Sequence, residues 1–372
     1  MLRATVFAEA PDRPLLLLGP SVGTSVEALW RQCATRLYGR YHVVGFDLPG
    51  HGASAPAPGP FTVADLARSV LELADQVRPG NSFLYAGDSL GAAIGLQLLL
   101  DHPGRVSAAA LLCTAARIGT AQMWHERAAL VRAEGTAAVV AGSAGRWFAP
   151  GFADRSPQVA EPLLDALRAV DDASYAYACE ALAGFDVRDR LAEIAAPVLA
   201  VAGAADKPTP PDDLALIADG VVHGRLVVLD GVAHLAPAES PEVVAFLLDQ
   251  HFDPERAAGI AVRREVLGPE HVDRATAGTT AFTRDFQDLI TRYAWGEIWT
   301  REGLARRDRS LITLTALIAL GHHEELAMHV RAARTNGLSV EEIKEVILQT
   351  AIYCGVPAAN TAFRIAQRVL EE

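Results

Sequence analysis

Cysteine is scarce and scattered in this chain. The four residues, Cys33, Cys113, Cys179 and Cys354, form no CxxC pair. That argues against a disulfide framework, a zinc site or a thiol-redox motif, and fits a reducing cytoplasm. Long apolar runs are missing too. Nothing approaches the roughly 20 residues of a membrane span, and the leucines at 15–18 make only a strand-sized run. Positive charge is in deficit, with a net charge of −12, so nucleic acid is excluded as a partner because phosphate binding needs a basic face. A small anionic substrate needs only one or two local arginines and stays allowed. The start of the chain lacks a basic stretch followed by an apolar run and a small-residue cleavage site, so no signal peptide is expected. Repeats and low-complexity tracts are absent.

What is present is apolar patterning at a length that implies two domains. Hydrophobic residues make up 51% of 372, more than one typical core accommodates. Residues 14–18, 42–46, 82–86, 108–113, 197–202 and 225–229 read as buried strands. Between the second and third, Leu66, Val70, Leu73 and Val77 recur at helical spacing behind Thr62 as a plausible N-cap. Strands alternating with helices imply a mostly parallel α/β sheet covered on both faces. Residues ~117–185 carry helical signals without strand signals, and read as a cap inserted into this sheet. Beyond about residue 255 only helices are expected, the clearest over 281–293, 309–320, 324–335 and 340–353. Ser339 and Glu342 form a capping box there, after Gly337 ends the preceding helix. The expected domains are 1–252 and 257–372.

Chemistry first shows at Gly87-Asp88-Ser89-Leu90-Gly91. A strand runs into it and a helix leaves it, which is the context that a G-x-S-x-G nucleophile elbow requires. Asp206 stands just past the strand at 197–202, and His234 just past the strand at 225–229. The order Ser, Asp, His is that of an α/β-hydrolase triad, with Ser89 as nucleophile, His234 as base and Asp206 holding the imidazolium. A turn aspartate and a satisfied loop histidine are the plainer readings, and the joint pattern outweighs them. The backbone N–H groups of Leu90 and of Val22, in the loop after the first core strand, are the expected oxyanion donors. His51, in Asp47-Leu48-Pro49-Gly50-His51-Gly52, reads as a structural loop residue. In the helical region Glu325 and His329 lie four apart on one helix face, beside the buried stripe of Leu326, Val330 and Ala333. A Glu that orients and charges a His is a natural proton donor or acceptor. An exposed face of an amphipathic helix is the plainer alternative.

Over residues 1–252 these motifs resemble the α/β-hydrolase superfamily. Ser21-Val22-Gly23-Thr24 ahead of Trp30, with Gly119 to Trp124 opening the cap, is similar to 3-oxoadipate enol-lactone hydrolases. That resemblance implies a carboxylate-bearing lactone, for which Arg127 and Arg146-Trp147 in the cap are the candidate binders; solvated surface arginines are the alternative. The start of the chain leaves little room for that fold's usual first hairpin. Residues ~257–372 resemble 4-carboxymuconolactone decarboxylases through Val262 to Gly268, Tyr293 to Trp299, Arg309-Ser310-Leu311, Glu325 to His329 and Tyr353 to Asn360. The resemblance implies an all-α fold, decarboxylation without metal or other cofactor, and assembly into homo-oligomers. His329 is then the expected acid, Glu325 its partner, and Arg301 or Arg309 a carboxylate holder. Together the two resemblances imply consecutive steps on small lactones. Two rival readings stay open: a hydrolase for another ester or thioester, and a helical domain that serves only for oligomerisation.

Overall fold

The computed structural model describes residues 2–280 and 282–371. Seven strands form one sheet: β1 (Arg3–Ala8), β2 (Leu15–Gly19), β3 (His42–Asp47), β4 (Phe83–Asp88), β5 (Val106–Leu112), β6 (Val198–Gly203) and β7 (Gly224–Leu229), in the spatial order β1-β3-β2-β4-β5-β6-β7. β1 pairs antiparallel with β3, and every other pairing is parallel. Strands of a sheet covered on both faces are apolar throughout rather than alternating. Accordingly β2, β3, β4 and β6 are buried at every position, while the edge strands β1 and β7 are half exposed. A single antiparallel strand, not a hairpin, therefore opens the sheet.

Helices α1 (Val26–Arg36), α2 (Val63–Val77) and α3 (Leu90–Asp101) connect the first strands. Thr62 caps α2 by accepting from Asp65 N at 3.1 Å, and Asp65 accepts from Thr62 N at 3.0 Å; such a cap contributes about 1 kcal/mol. Trp30 of α1 is fully buried, and its indole N–H donates to the Gly19 carbonyl at 2.9 Å, fixing α1 to the end of β2. Between β5 and β6 the chain is helical: α4 (Ala121–Glu134), α5 (Val140–Trp147), α6 (Phe152–Arg155), α7 (Pro157–Arg168) and α8 (Asp172–Ala183). These form the cap. Helices α9 (Pro211–Gly220), α10 (Ala236–Glu239) and α11 (Pro241–Phe252) complete the first unit, which spans Met1–Phe252.

The second unit, Asp253–Glu372, is helical throughout its described residues. It comprises α12 (Pro254–Leu267), α13 (Pro269–Ala277), α14 (Arg284–Ile290), α15 (Arg306–Leu320), α16 (His323–Thr335), α17 (Val340–Cys354) and α18 (Val356–Leu370). Its core gathers residues at helical spacing, among them Leu314 and Ile318, Leu326, Val330 and Ala333, and Ile343 and Ile347. Ser339 and Glu342 form the expected capping box, with bonds of 3.1 and 2.9 Å. The helix expected over 281–293 differs. Ala281 lies outside the described residues, α14 starts at Arg284, and Thr291–Ile298 is a π-helix. Its end is marked by Trp299 N donating to Ala294 O, five residues back, at 2.9 Å. A Cβ on Gly259 of α12 would land on the Thr291 carbonyl, so the two backbones touch where the π-helix begins.

Candidate active sites

Asp88 ends β4 and Leu90 starts α3, so Ser89 alone makes the turn. It does so at φ 53°, a left-handed conformation that a side chain adopts only under constraint. The constraint is steric on both sides. A Cβ at Gly87 would fall on the Gly91 carbonyl, and one at Gly91 would lie 2.5 Å from the Gly19 backbone. Hydrogen bonds then over-determine the corner: Ser89 N donates to Leu112 O at 2.9 Å, Thr114 Oγ1 to Ser89 O at 3.0 Å, and Gly91 N to Pro20 O at 3.0 Å.

The ends of β6 and β7 bring the other two groups to this corner. His234 Nε2 lies 3.0 Å from Ser89 Oγ, and His234 Nδ1 lies 2.9 and 3.1 Å from the two Asp206 oxygens. A carboxylate can only accept, so Nδ1 carries the proton and Nε2 is free to take one from the serine. Thr209 fixes Asp206 in turn, donating from Oγ1 at 2.8 Å and from N at 3.1 Å. All three groups are buried. Leu90 opens α3, so its N–H has no partner within the helix, and Val22 lines the same cavity as Ser89. His51 stays out of this cavity. It is buried, donates from Nδ1 to Pro49 O at 2.9 Å, and is pushed down to about 4 by desolvation.

A cavity of about 350 Å³ opens onto Ser89 and His234. Arg127, Arg146 and Trp147 from the cap line it, as does Lys207. Arg127 donates to Tyr175 Oη at 2.8 Å and to Ser143 Oγ at 2.9 Å, and Arg146 donates to the same Ser143 Oγ at 3.3 Å. Among the described residues no carboxylate lies within ion-pair distance of either arginine. Desolvation and the Arg127 charge both lower the Arg146 pKa. Two half-buried guanidiniums thus face the cavity without a counter-charge, which favours an anion there. Sequence reasoning missed Lys207, although it directly follows Asp206 and is one of the chain's two lysines. It also missed two carboxyls behind the triad. Asp88 is fully buried with both oxygens unpartnered, and desolvation, then the Asp206 and Glu239 charges, push its pKa well above the usual carboxylate range. Glu239 accepts from Ala233 N and Ala149 N at 3.0 Å each, and burial pushes it up to about 7.

In the helical unit the expected partners are less closely joined. His329 is half buried, its Nδ1 has no hydrogen-bond partner, and Glu325 is exposed in the first turn of α16. Glu325 acts on the imidazole only through its charge. Desolvation and the neighbouring His271 outweigh that charge and push His329 down to about 4, so the ring is neutral at pH 7; a bound dicarboxylate would favour its protonated form. Arg309 donates to the Arg301 carbonyl at 2.8 Å and keeps a buried, unpartnered Nε, while the Arg301 side chain is exposed. Arg263, not singled out beforehand as a site residue, is buried with an unpartnered Nε and bonds the neutral Gln287 at 3.0 Å.

The family model described as alpha/beta hydrolase fold matches residues 14–241, and that of the carboxymuconolactone decarboxylase family matches residues 284–368. The first unit is similar to 3-oxoadipate enol-lactonase 2 of Acinetobacter baylyi, 36% identical over 241 residues that cover 65% of this chain and 89% of that one. The second is similar to 4-carboxymuconolactone decarboxylase of the same organism, 47% identical over 114 residues that cover 31% of this chain and 85% of that one. Among solved structures, the enol-lactonase from Burkholderia xenovorans LB400 superposes with a TM-score of 0.65 at 28% identity, covering 68% of this chain and 96% of that one.

Proposed function

Because the chain belongs to the α/β-hydrolase fold family in its first unit and to the carboxymuconolactone decarboxylase family in its second, we propose that it is a bifunctional enzyme of 3-oxoadipate formation. The helical unit decarboxylates 4-carboxymuconolactone to 3-oxoadipate enol-lactone, and the hydrolase unit opens that lactone to 3-oxoadipate. The observation that carries the reading is the set of unneutralised cations in the Ser89 cavity. Arg127 and Arg146 hold the carboxylate that distinguishes this lactone from a neutral ester, leaving the ring carbonyl for Ser89.

Ser89 Oγ attacks that carbonyl while His234 takes its proton, and the N–H groups of Leu90 and Val22 receive the oxyanion. The ring oxygen leaves as an enol, protonated by His234, and tautomerises to the ketone. Water, deprotonated by His234, then releases the acid from Ser89. In the helical unit the carbon–CO2 bond breaks and its electron pair enters the conjugated lactone. A proton from His329 then reaches the carbon next to the lactone carbonyl; Arg309 and Arg301 hold carboxylate. The helical unit also carries self-assembly. Phe282, Ile352 and Tyr353 are 96%, 78% and 80% exposed, which supports the reading that this unit offers apolar surface to a second copy. Light scattering is expected to give a mass above that of one chain. No helix among the described residues is long and apolar enough to cross a membrane, and free cysteines suit a reducing cytoplasm.

Feeding the purified protein 4-carboxymuconolactone tests the reading. Wild type is expected to release CO2 and 3-oxoadipate, and Ser89→Ala to release CO2 and accumulate enol-lactone. No CO2 from either protein would leave a hydrolase with a non-catalytic helical unit.

A further inference from the structure

Glu239 sits outside the lining of the lactone cavity, yet its two oxygens join the two segments that build it. Oε1 accepts from Ala233 N, the residue before the catalytic His234, and Oε2 accepts from Ala149 N, two residues beyond Trp147 in the cap. A third bond runs parallel to these: His234 N donates to the Trp147 carbonyl at 3.1 Å. The cap segment that presents Arg146 and Trp147 to substrate is thus fastened to the segment that presents the imidazole to Ser89.

We propose that Glu239 is a positioning residue that couples the seating of the cap, and with it the carboxylate-binding arginines, to the position of the catalytic histidine. The proposal rests on the hydrolase reading of the Ser89 site. The argument is one of acceptor count. Two backbone N–H groups from segments about 85 residues apart in sequence converge on one point, and only a side chain with two acceptor oxygens satisfies both. Glutamine accepts at one and presents an N–H to the other. The neighbourhood makes the choice informative, because the Asp206 charge opposes a second negative charge at Glu239. A carboxylate kept in so acidic a setting is there for what it holds.

The test uses the full chain with Glu239→Gln and Glu239→Ala, checked by circular dichroism, on 3-oxoadipate enol-lactone and on the uncharged p-nitrophenyl acetate. Losing one charge-assisted bond at the strut is expected to lower kcat about tenfold for both substrates. KM should rise several-fold for the lactone alone, since the acetate makes no use of the cap arginines. Alanine should go further in the same direction, and if it does not fold, glutamine carries the comparison. Wild-type kcat in the glutamine variant would overturn the proposal, as would a raised KM with kcat unchanged, which would make Glu239 a support of the cap alone. Ester hydrolysis that survives Ser89→Ala in the wild-type background would instead sink the hydrolase reading, and the proposal with it.

Discussion

Asp206 acts without touching substrate. Both its oxygens face His234 Nδ1, and Thr209 holds them there from two donors. Asparagine would fit the same space but would turn an amide N–H toward the ring N–H, or force the other tautomer. Asp206→Asn is therefore expected to lower kcat for lactone opening by about 10³–10⁴-fold, with KM little changed; steady-state kinetics on enol-lactone checks this. Glu239 offers a thermodynamic counterpart. Burial raises its pKa from 4.5 to about 7 in the fold, so the folded chain holds a proton that the unfolded chain releases. Its contribution to stability is complete below the unfolded value and lost as pH rises through about 7. Thermal midpoints of wild type are expected to fall relative to Glu239→Gln between about pH 5 and pH 8; a constant difference would refute this. The Ser89, Asp206 and His234 positions could be read from the sequence because each follows a strand in the order a known elbow demands. Lys207 and Glu239 could not, because their roles depend on which distant backbone and cap residues they meet.

Elements are held where glycine lets backbones touch. Gly91→Ala would drive a Cβ into the Gly19 and Pro20 backbone, and such overpacking costs about 1–3 kcal/mol. A lowered denaturation midpoint and loss of lactone opening are expected, with CO2 release from carboxymuconolactone retained. Gly259→Ala should give the opposite phenotype, since its Cβ would strike the Thr291 carbonyl where the π-helix begins. An equal loss of both activities in either variant would contradict this division. The same elements show what periodicity can convey. The buried parallel strands were legible to within about two residues because such strands are unbroken apolar runs. The half-exposed edge strand β1 carried no such signal. The π-helix was illegible for a different reason: its first carbonyl packs against Gly259 on another helix, and local spacing is the same with or without that contact.

At the scale of the whole molecule the question is what one chain gains by carrying two sites. Covalent linkage raises effective concentration for partners that stay attached to the linker, but enol-lactone is attached to neither unit once it leaves the decarboxylase site. Free in solution, it reaches a hydrolase site on any chain. A mixture of Ser89→Ala and His329→Ala proteins, with each intact site at its wild-type concentration, is therefore expected to form 3-oxoadipate from 4-carboxymuconolactone at the wild-type steady-state rate. The same lag should precede both, while the lactone accumulates to the level at which hydrolysis matches decarboxylation, and it should shorten as protein concentration rises. What the fusion then secures is a fixed one-to-one supply of the two catalysts. The competing outcome is a lag in the mixture that wild type lacks. That result would mean that hand-over depends on both sites belonging to one assembly, and that linkage acts on the lactone itself. Continuous absorbance of the lactone, followed beside 3-oxoadipate formation, separates a lag shared by both from one confined to the mixture.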